Sequence, residues 1–211
     1  MRRNRLSTAF ALASVMAFWA VEAPSAAAQE VQLEQAQRHR FLRVEVAENG
    51  TLFVPDTEPV VDGLPAYGGE FITTGYLYPA GTLTCSVVDP ETGALGCNGV
   101  NEDGSPEFPD KVIGTWTCRG WHVGDGALTE SGAWVATSQI FSFTPEIAQE
   151  YGQRTITTDG FESPEPVEVR RAVTGGTGIF GGVSGEQLQT FLGWNPSVGV
   201  SLEVRFRLRW S

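Results

Sequence analysis

A glycine-rich run is the part of this chain whose residue types and spacing most directly suggest chemistry. Residues 173–186 read V-T-G-G-T-G-I-F-G-G-V-S-G-E and follow an apolar strand-like segment. From Gly176 to Gly181 the run has the G-x-G-x-x-G spacing with which a strand, a turn and a helix hold a dinucleotide pyrophosphate. That site needs a helix after the third glycine, whereas further glycines and the alternating residues 187–194 predict a turn followed by a strand. The run is therefore predicted to be a tight hairpin.

The sequence lacks the other residue patterns that are typical of nucleotide-binding, catalytic or metal-binding sites. No Gly-Lys-Ser/Thr step forms a Walker loop, and Ser184 does not complete the G-x-S-x-G pattern of a nucleophile elbow. The histidines, His39 and His122, lie in different segments, and no Cys-x-x-Cys or His-x-His spacing occurs. We therefore predict neither a metal site nor a bound cofactor, and the sequence supports no hydrolase or nuclease.

The first residues predict export. Arg2, Arg3 and Arg5 precede an apolar run and then small residues that end at Ala28, which is the pattern of a secretory signal peptide. Nothing later is long and apolar enough for a membrane span. We expect a signal peptide over 1–28, an extension over 29–39 and one domain over 40–211, outside the cytoplasm in the periplasm or beyond.

The charge balance of the mature chain argues against nucleic acid as a partner. The whole chain has 14 basic and 25 acidic residues, and removal of the signal peptide leaves 11 and 24, a formal net charge near −13. A nucleic-acid-binding domain carries a basic surface.

Three cysteines in an exported protein predict one disulfide and one remaining thiol. Cys85, Cys97 and Cys118 allow three pairings, and the sequence does not choose among them. A turn signal at residues 89–93 lies between the first two, so loop entropy favours Cys85 with Cys97.

Strand-like alternation recurs from residue 40 to the end of the chain, with helical periodicity only in 31–40 and 145–151. The clearest strand is the last, where apolar residues alternate with charged ones. Long strands without helices between them favour an all-β, antiparallel up-and-down barrel of eight strands, which is wide enough to hold one small ligand. Residues 80–110 are predicted to be a long connection. The predicted strands cover residues 41–46, 69–78, 112–123, 134–143, 154–161, 167–173, 186–194 and 198–210.

The glycine run also resembles a motif of two known families. Residues 172–185, A-V-T-G-G-T-G-I-F-G-G-V-S-G, are similar to A-V-T-G-G-S-G-I-F-E-G-V-Y-G of plant allene oxide cyclases and to V-V-G-G-T-G-x-F-R-x-A-R-G of dirigent proteins. Weaker matches include 68–70, 114–118, 136–137 and 155–161. The resemblance implies an exported, bacterial-type member of the allene oxide cyclase and dirigent-like barrels, with a central ligand cavity and a homotrimeric assembly. The glycines of the motif turn are Gly175, Gly176, Gly178, Gly181 and Gly185.

The same resemblance implies a set of site residues. The cyclase sequence Y-E-I-N-E corresponds to Val44-Glu45-Val46-Ala47-Glu48, which makes Glu45 the catalytic candidate, held in an apolar cavity for proton transfer or charge stabilisation. As a residue between two apolar neighbours, Glu45 also fits the outward face of a strand. The residues implied or expected to line the cavity or bind ligand are Phe71, Trp116, Cys118, Trp134 and Phe161; for the aromatic ones, filling of the core is the alternative.

The chain departs from the cyclase pattern where that family places polar groups. Ala47 and Gly75 stand where the cyclases have asparagines, and Phe161 stands where they have a tyrosine. An epoxide-opening cyclase needs such hydrogen-bonding groups for positioning. On the dirigent side, Arg170 or Arg171 corresponds to an arginine before the glycine motif, and Asp159 offers an acid on a neighbouring strand.

Three functions follow from these observations. The first is cyclisation or isomerisation of a small apolar or aromatic molecule, in which the cavity holds one reactive conformer. The second is a dirigent role, in which the chain orients radicals made by a separate oxidase. The third is a lipocalin-like carrier, which predicts a cavity without an inward ionisable group.

Overall fold

β-Strands make up most of the residues that the structure describes. The computed structural model describes residues 39–53, 60–61, 64–88, 95–124, 135–143, 154–163 and 167–210. The predicted signal peptide, extension residues 29–38 and the predicted helical segment 145–151 lie outside these ranges. Residues 39 and 40 of the other predicted helix are not helical, because their backbone pairs with Arg209 and Leu208 of the last strand.

Two-residue alternation produces eight long strands near the predicted ones, of which the first continues seven residues past its predicted end at residue 46, and four short strands that were not predicted. The strands are β1 (His39–Phe53), β2 (Val60–Val61), β3 (Leu64–Pro65), β4 (Glu70–Pro79), β5 (Cys85–Val88), β6 (Leu95–Cys97), β7 (Gly114–His122), β8 (Val135–Ser142), β9 (Thr155–Glu162), β10 (Val169–Gly176), β11 (Val183–Trp194) and β12 (Val200–Trp210).

Eight of these strands close into an antiparallel barrel. Their order around the barrel is β1, β4, β7, β8, β9, β10, β11 and β12, and β12 pairs back with β1. Every neighbouring pair is antiparallel, with partners such as Val44 with Val204 and Val173 with Gly185. The prediction of an eight-stranded, antiparallel up-and-down barrel is therefore confirmed.

The long connection between β4 and β7 lies against the outside of the barrel. It contains the hairpin β5–β6, which joins the sheet at Gly96, opposite Trp194 of β11. A disulfide links Cys85 and Cys97, which confirms the pairing favoured by loop entropy, and Cys118 is a free, buried thiol.

The glycine run forms the connection between β10 and β11. A short 3-10 turn, Gly178–Phe180, joins the two strands, as expected for a hairpin and not for a phosphate site. Gly185 has a φ of +142°, and a Cβ there would lie 2.0 Å from the carbonyl oxygen of Arg207. Only glycine allows β11 and β12 to pair so closely at this point.

In the described ranges the helical structure consists of two 3-10 turns, Pro109–Lys111 and Gly178–Phe180. A search of those ranges for a helix able to cross a membrane finds none.

Candidate functional site

The barrel lumen has an apolar part and a polar part. Successive side chains on a strand point to opposite faces, and Val44, Trp116, Phe141 and Phe206 belong to the same buried hydrophobic cluster. The rings of Phe141 and Phe206 lie 5.0 Å apart, edge to face. At the end of the barrel where β9 ends, a group of inward-facing residues on β7 to β11 is polar. They are Cys118, Thr137, Gln139, Thr158, Glu162, Arg171, Gln187 and Gln189.

Glu162, the last residue of β9, is the centre of this polar group. Its Oε1 accepts hydrogen bonds from the Thr137 hydroxyl and, at 2.9 Å, from Nε2 of Gln139. Its Oε2 accepts one from Nε2 of Gln189 at 2.7 Å. Hydrogen bonds to a charged acceptor are stronger than those between neutral groups. With a side chain only 12% exposed, the carboxylate is held in a defined position inside the barrel.

Arg171 balances the charge of Glu162. Its Nη1 lies 3.4 Å from Oε1 of Glu162, and its side chain is fully buried. The guanidinium also donates to the carbonyl oxygens of Thr137, at 2.9 Å, and Phe161, at 3.3 Å. Burial lowers the pKa of Arg171, and the neighbouring Glu162 opposes that shift.

Gly160 provides the space in which the Arg171 side chain lies. A Cβ at position 160 would be 3.0 Å from Cγ of Arg171, which is closer than real Cβ atoms normally approach a neighbour. A side chain at this position would therefore crowd the base of the Arg171 side chain.

Three glutamine side chains form a series of hydrogen bonds across the lumen, and this series ends at the Glu162 carboxylate. Nε2 of Gln187 donates to Oε1 of Gln139 at 2.8 Å and to Oε1 of Gln189 at 2.9 Å. Nε2 of Gln139 donates to Oε1 of Gln189 at 2.9 Å, and both of those glutamines donate to Glu162. The donors therefore run from Gln187 toward the carboxylate.

Several buried polar atoms around this network have no hydrogen-bond partner among the residues that the structure describes. They are Nε1 of Trp116, Oγ1 of Thr158, Nε of Arg171 and Oε1 of Gln187. Each of these residues is at most 2% exposed. Buried polar atoms in native proteins are nearly always paired with protein or ordered water. The polar part of the lumen therefore holds donors and acceptors whose hydrogen-bonding capacity is not used by the described residues.

The thiol of Cys118 borders the carboxylate. Its Sγ lies 3.5 Å from Oε1 of Glu162. Burial raises the pKa of the thiol, and the negative charge of Glu162 raises it further. Cys118 is therefore a protonated, weakly polar part of the lumen wall and not an activated nucleophile.

His122 and Phe71 lie near the polar end of the barrel. Their ring centroids are 5.3 Å apart, and His122 is 8% exposed. Burial lowers the pKa of His122, so the neutral imidazole is favoured.

Glu45 lies on the outer face of β1, because its neighbours Val44 and Val46 both point into the barrel. It is 5% exposed because the β4–β7 connection covers it. Its carboxylate accepts hydrogen bonds from the backbone N–H groups of Gly81, Thr82 and Leu83 at 2.7, 2.9 and 2.7 Å. The expectation that Glu45 faces the cavity is thus corrected: its carboxylate anchors a loop outside the wall.

The other expected cavity residues divide into two groups. Phe71, Trp116 and Cys118 belong to the buried hydrophobic cluster inside the barrel, at 9%, 1% and 1% exposure. Phe161 is 61% exposed and points away from the lumen, since its neighbour Glu162 points inward. Trp134 lies outside the described residues.

The structure separates the residues suggested by the dirigent-like motif. Arg171 enters the lumen, whereas Arg170 lies on the outer surface, 3.6 Å from Glu186. Asp159 is exposed and accepts a hydrogen bond from Ser138.

Ala47 is fully buried on the outer side with Tyr78 and the β4–β7 connection. A Cβ at Gly75 would lie 2.6 Å from the carbonyl oxygen of Ala47, so no side chain fits there.

Glu162 and the three glutamines were not identified from the sequence, although one signal was available. Ile156 is an apolar residue at an inward position, and the two-residue period places 158, 160 and 162 on the same face.

Among the described residues, no cluster of three histidine, cysteine, aspartate or glutamate side chains has the proximity needed to hold a metal ion.

No model of a known protein family matches the chain, and neither does any curated protein sequence. Solved structures do resemble it. The pterocarpan synthase dirigent protein PsPTS1 aligns with a TM-score of 0.53 and 13% identity over 83% of this chain and 97% of that one. The pterocarpan synthase dirigent protein GePTS1 gives 0.52 and 12% over 82% and 86%. A pyocyanin demethylase gives 0.48 and 12% over 80% and 99%. At these identities the likeness concerns the fold alone, and the chain has a dirigent-like β-barrel fold.

Proposed function

We propose that this protein binds a small molecule with an apolar or aromatic body in the barrel lumen and promotes its cyclisation or isomerisation there. Glu162 takes the role of proton-transfer group that the sequence suggested for Glu45. The observation that carries this proposal is the Glu162 carboxylate, held by three hydrogen bonds beside an apolar wall.

The reaction that fits these groups is an internal proton transfer. Glu162 takes a proton from a carbon next to a carbonyl or similar group of the ligand, and the negative charge develops on the ligand oxygen. Nε of Arg171, which has no partner among the described residues, can donate to that oxygen. The protonated carboxyl then returns the proton to another carbon. No atom is gained or lost, so the reaction consumes no second substrate.

The shape of the lumen supplies the rest of the proposed rate enhancement. Holding a flexible ligand in one near-reactive conformer can lower a barrier by roughly 7 to 11 kcal/mol in the best cases. A positioned general acid–base group adds about 10² to 10⁴ in rate. Loss of the carboxylate should therefore reduce turnover strongly and leave ligand binding largely intact.

A β,γ-unsaturated cyclohexenone provides a first assay, because its conversion to the conjugated isomer is followed by ultraviolet absorbance. We expect the protein to accelerate the conversion, and Glu162→Gln to reduce the acceleration by about a hundredfold or more. Glu45→Gln is the matched control, since that carboxylate lies outside the barrel wall. Equal losses in the two variants, or no loss in Glu162→Gln, would contradict the proposed role.

We further propose that the protein is exported. The disulfide between Cys85 and Cys97 supports this, since such bonds persist in oxidising compartments. Mass spectrometry of the protein recovered outside the cytoplasm should find a chain that begins at Gln29. A chain that retains residues 1–28 in the cytoplasm would contradict this proposal.

A homotrimer is the proposed assembly, and the outer face of β7, β8 and β9 supports it. Trp121, Ala136 and Phe161 are direct cross-strand neighbours there, and the two aromatic residues are 49% and 61% exposed. Sedimentation velocity should show a trimer that Phe161→Glu dissociates. Phe41→Glu is the control, because Phe41 is exposed elsewhere, on β1. A wild-type monomer would refute the assembly.

The dirigent role remains the second candidate, and the two dirigent proteins of similar fold favour it. It predicts stereoselective coupling of a hydroxyphenyl propenol only when a laccase supplies the radicals, and racemic dimers would count against it. The carrier role is less favoured, because Glu162 and Arg171 bring ionisable groups into the lumen.

A further inference from the structure

The unpaired atoms of the lumen include one donor and one acceptor on directly paired residues of neighbouring strands. Arg171 of β10 and Gln187 of β11 are direct cross-strand partners, and both side chains point inward. Among the described residues, Nε of Arg171 donates to no acceptor and Oε1 of Gln187 receives no donor. Direct partners on neighbouring strands have Cβ atoms about 5 Å apart. A guest molecule that enters between these two side chains would meet both atoms along one edge.

The orientation of Gln187 is fixed by its neighbours. Both hydrogen bonds made by its amide nitrogen go to other glutamines, to Gln139 at 2.8 Å and Gln189 at 2.9 Å. The amide oxygen is therefore the atom left for a guest, and it can only accept. Arg171 has no acceptor atom, so its free Nε–H can only donate.

The complementary edge on a guest has an N–H group beside a C=O group. The carbonyl oxygen accepts from Nε of Arg171, and the N–H donates to Oε1 of Gln187. This is the edge of a cyclic amide. The hydroxyl of Thr158 on β9 is also buried and unpaired among the described residues, and it can donate or accept.

Two further features of the lumen indicate the shape and the charge of the guest molecule. Trp116 and Phe141 are direct cross-strand partners in the apolar part of the lumen and offer aromatic rings to a planar body. The charges of Arg171 and Glu162 balance each other at 3.4 Å, so a charged guest would add an uncompensated charge to a buried site.

We infer that the lumen recognises a planar, uncharged heterocycle with a cyclic amide edge, whose carbonyl binds Nε of Arg171 and whose N–H binds Oε1 of Gln187. This inference rests on the proposed function and names the class of ligand for the same site. It assigns to Gln187 a role in specificity, separate from the proton transfer given to Glu162.

A series of four bicyclic probes of similar size tests the inference by calorimetric titration of the full-length protein. Carbostyril has the complete N–H and C=O edge, N-methylcarbostyril has only the carbonyl, β-naphthol has only a hydroxyl, and naphthalene has neither. A single hydrogen bond is worth about a factor of ten in affinity. We expect carbostyril to bind about tenfold more tightly than N-methylcarbostyril and β-naphthol, with naphthalene the weakest.

Two variants assign the contacts separately. Gln187→Met should weaken carbostyril about tenfold and leave N-methylcarbostyril unchanged, because it removes only the acceptor for the N–H group. Arg171→Lys should weaken both carbonyl probes and leave naphthalene unchanged. Thr190→Val is the matched control: Thr190 lies on the same strand but pairs with Glu203 on the outer face. It should leave all four affinities unchanged.

The outcomes separate this inference from the proposed function. Equal affinity for carbostyril and N-methylcarbostyril, or for carbostyril and β-naphthol, would overturn the amide edge while leaving an apolar binding lumen. Binding of none of the four probes would overturn both. The comparison of probes on the unmodified protein is decisive even if Gln187→Met, which also removes the donor to Gln139 and Gln189, fails to fold.

Discussion

Gln139 on β8 and Gln189 on β11 join their side-chain amides across the barrel lumen at 2.9 Å, although two other strands lie between β8 and β11 in the wall. Both amides also donate to Glu162. A carboxylate inside a protein requires such partners, because an unpaired buried charge is costly. The bridge is therefore what allows an ionisable group to lie inside this barrel.

The buried ion pair should be coupled energetically. Arg171→Met leaves the Glu162 carboxylate without its countercharge and is expected to lower the free energy of unfolding by about 3 to 5 kcal/mol. The double variant Arg171→Met with Glu162→Gln should regain part of that loss, since neither charge of this pair then remains buried. Urea denaturation measures both values. Arg205→Met is the control, because its ion pairs are exposed and should cost less than about 1 kcal/mol; simple additivity in the double variant would refute the coupling.

Glu45 should act as an anchor for the β4–β7 connection. Glu45→Ala removes the acceptor for the N–H groups of Gly81, Thr82 and Leu83 and is expected to cost about 1 to 3 kcal/mol. Hydrogen exchange at these three amides should accelerate at least about tenfold. Glu203→Ala, which removes a carboxylate paired with exposed Arg43 on the same outer face, should leave those amides unchanged. Unaltered exchange in Glu45→Ala would contradict the anchor.

The glycine motif should be required for strand pairing. Gly185→Ala places a Cβ 2.0 Å from the carbonyl oxygen of Arg207 at a φ of +142°, and we expect it to cost about 3 kcal/mol or more. Gly181→Ala is the matched substitution, because the nearest atom is 3.2 Å away and its φ of −58° suits any residue; it should cost about 1 kcal/mol or less. Thermal unfolding compares the two, and similar melting temperatures would be evidence against a steric role.

Stability should depend on pH through His122. Burial lowers the pKa of His122 in the folded protein below the ordinary value of 6.5. Between those two pKa values the unfolded chain binds more protons, so the free energy of unfolding falls as the pH drops below 6.5. The slope contributed by one group is at most about 1.4 kcal/mol per pH unit. Urea titrations of His122→Phe from pH 7 downward should lack this slope near pH 6, and an unchanged slope would assign it to other groups.

The fold could be predicted from the sequence because alternation over long segments leaves few alternatives. Residues 200–210 alternate so regularly that their apolar face had to be buried, and closure of the barrel pairs both edges of each of its eight strands. Loop entropy favoured the observed pairing of Cys85 with Cys97, although the sequence left three pairings open. These features depend on local pattern and chain entropy, which a sequence shows directly.

The site was harder to predict because it depends on which face each polar residue occupies. Glu45 was favoured by its resemblance to a cyclase motif, although its apolar neighbours Val44 and Val46 place it on the outside. Glu162 lies one residue beyond the predicted end of its strand, in a segment where threonine and glycine obscure the alternation. Its partners come from four other strands, and only the barrel register brings them together.

The central claim is that Glu162, and not Glu45, meets the ligand. Nuclear magnetic resonance of the side-chain carboxyl carbons in glutamate-labelled protein tests it most directly, with β-naphthol as the added probe. We predict that one carboxyl signal shifts on addition of the probe, and that this signal is absent from the spectrum of Glu162→Gln but present in that of Glu45→Gln. A shifting signal that is lost in Glu45→Gln, or no shift of any glutamate carboxyl, would contradict the account.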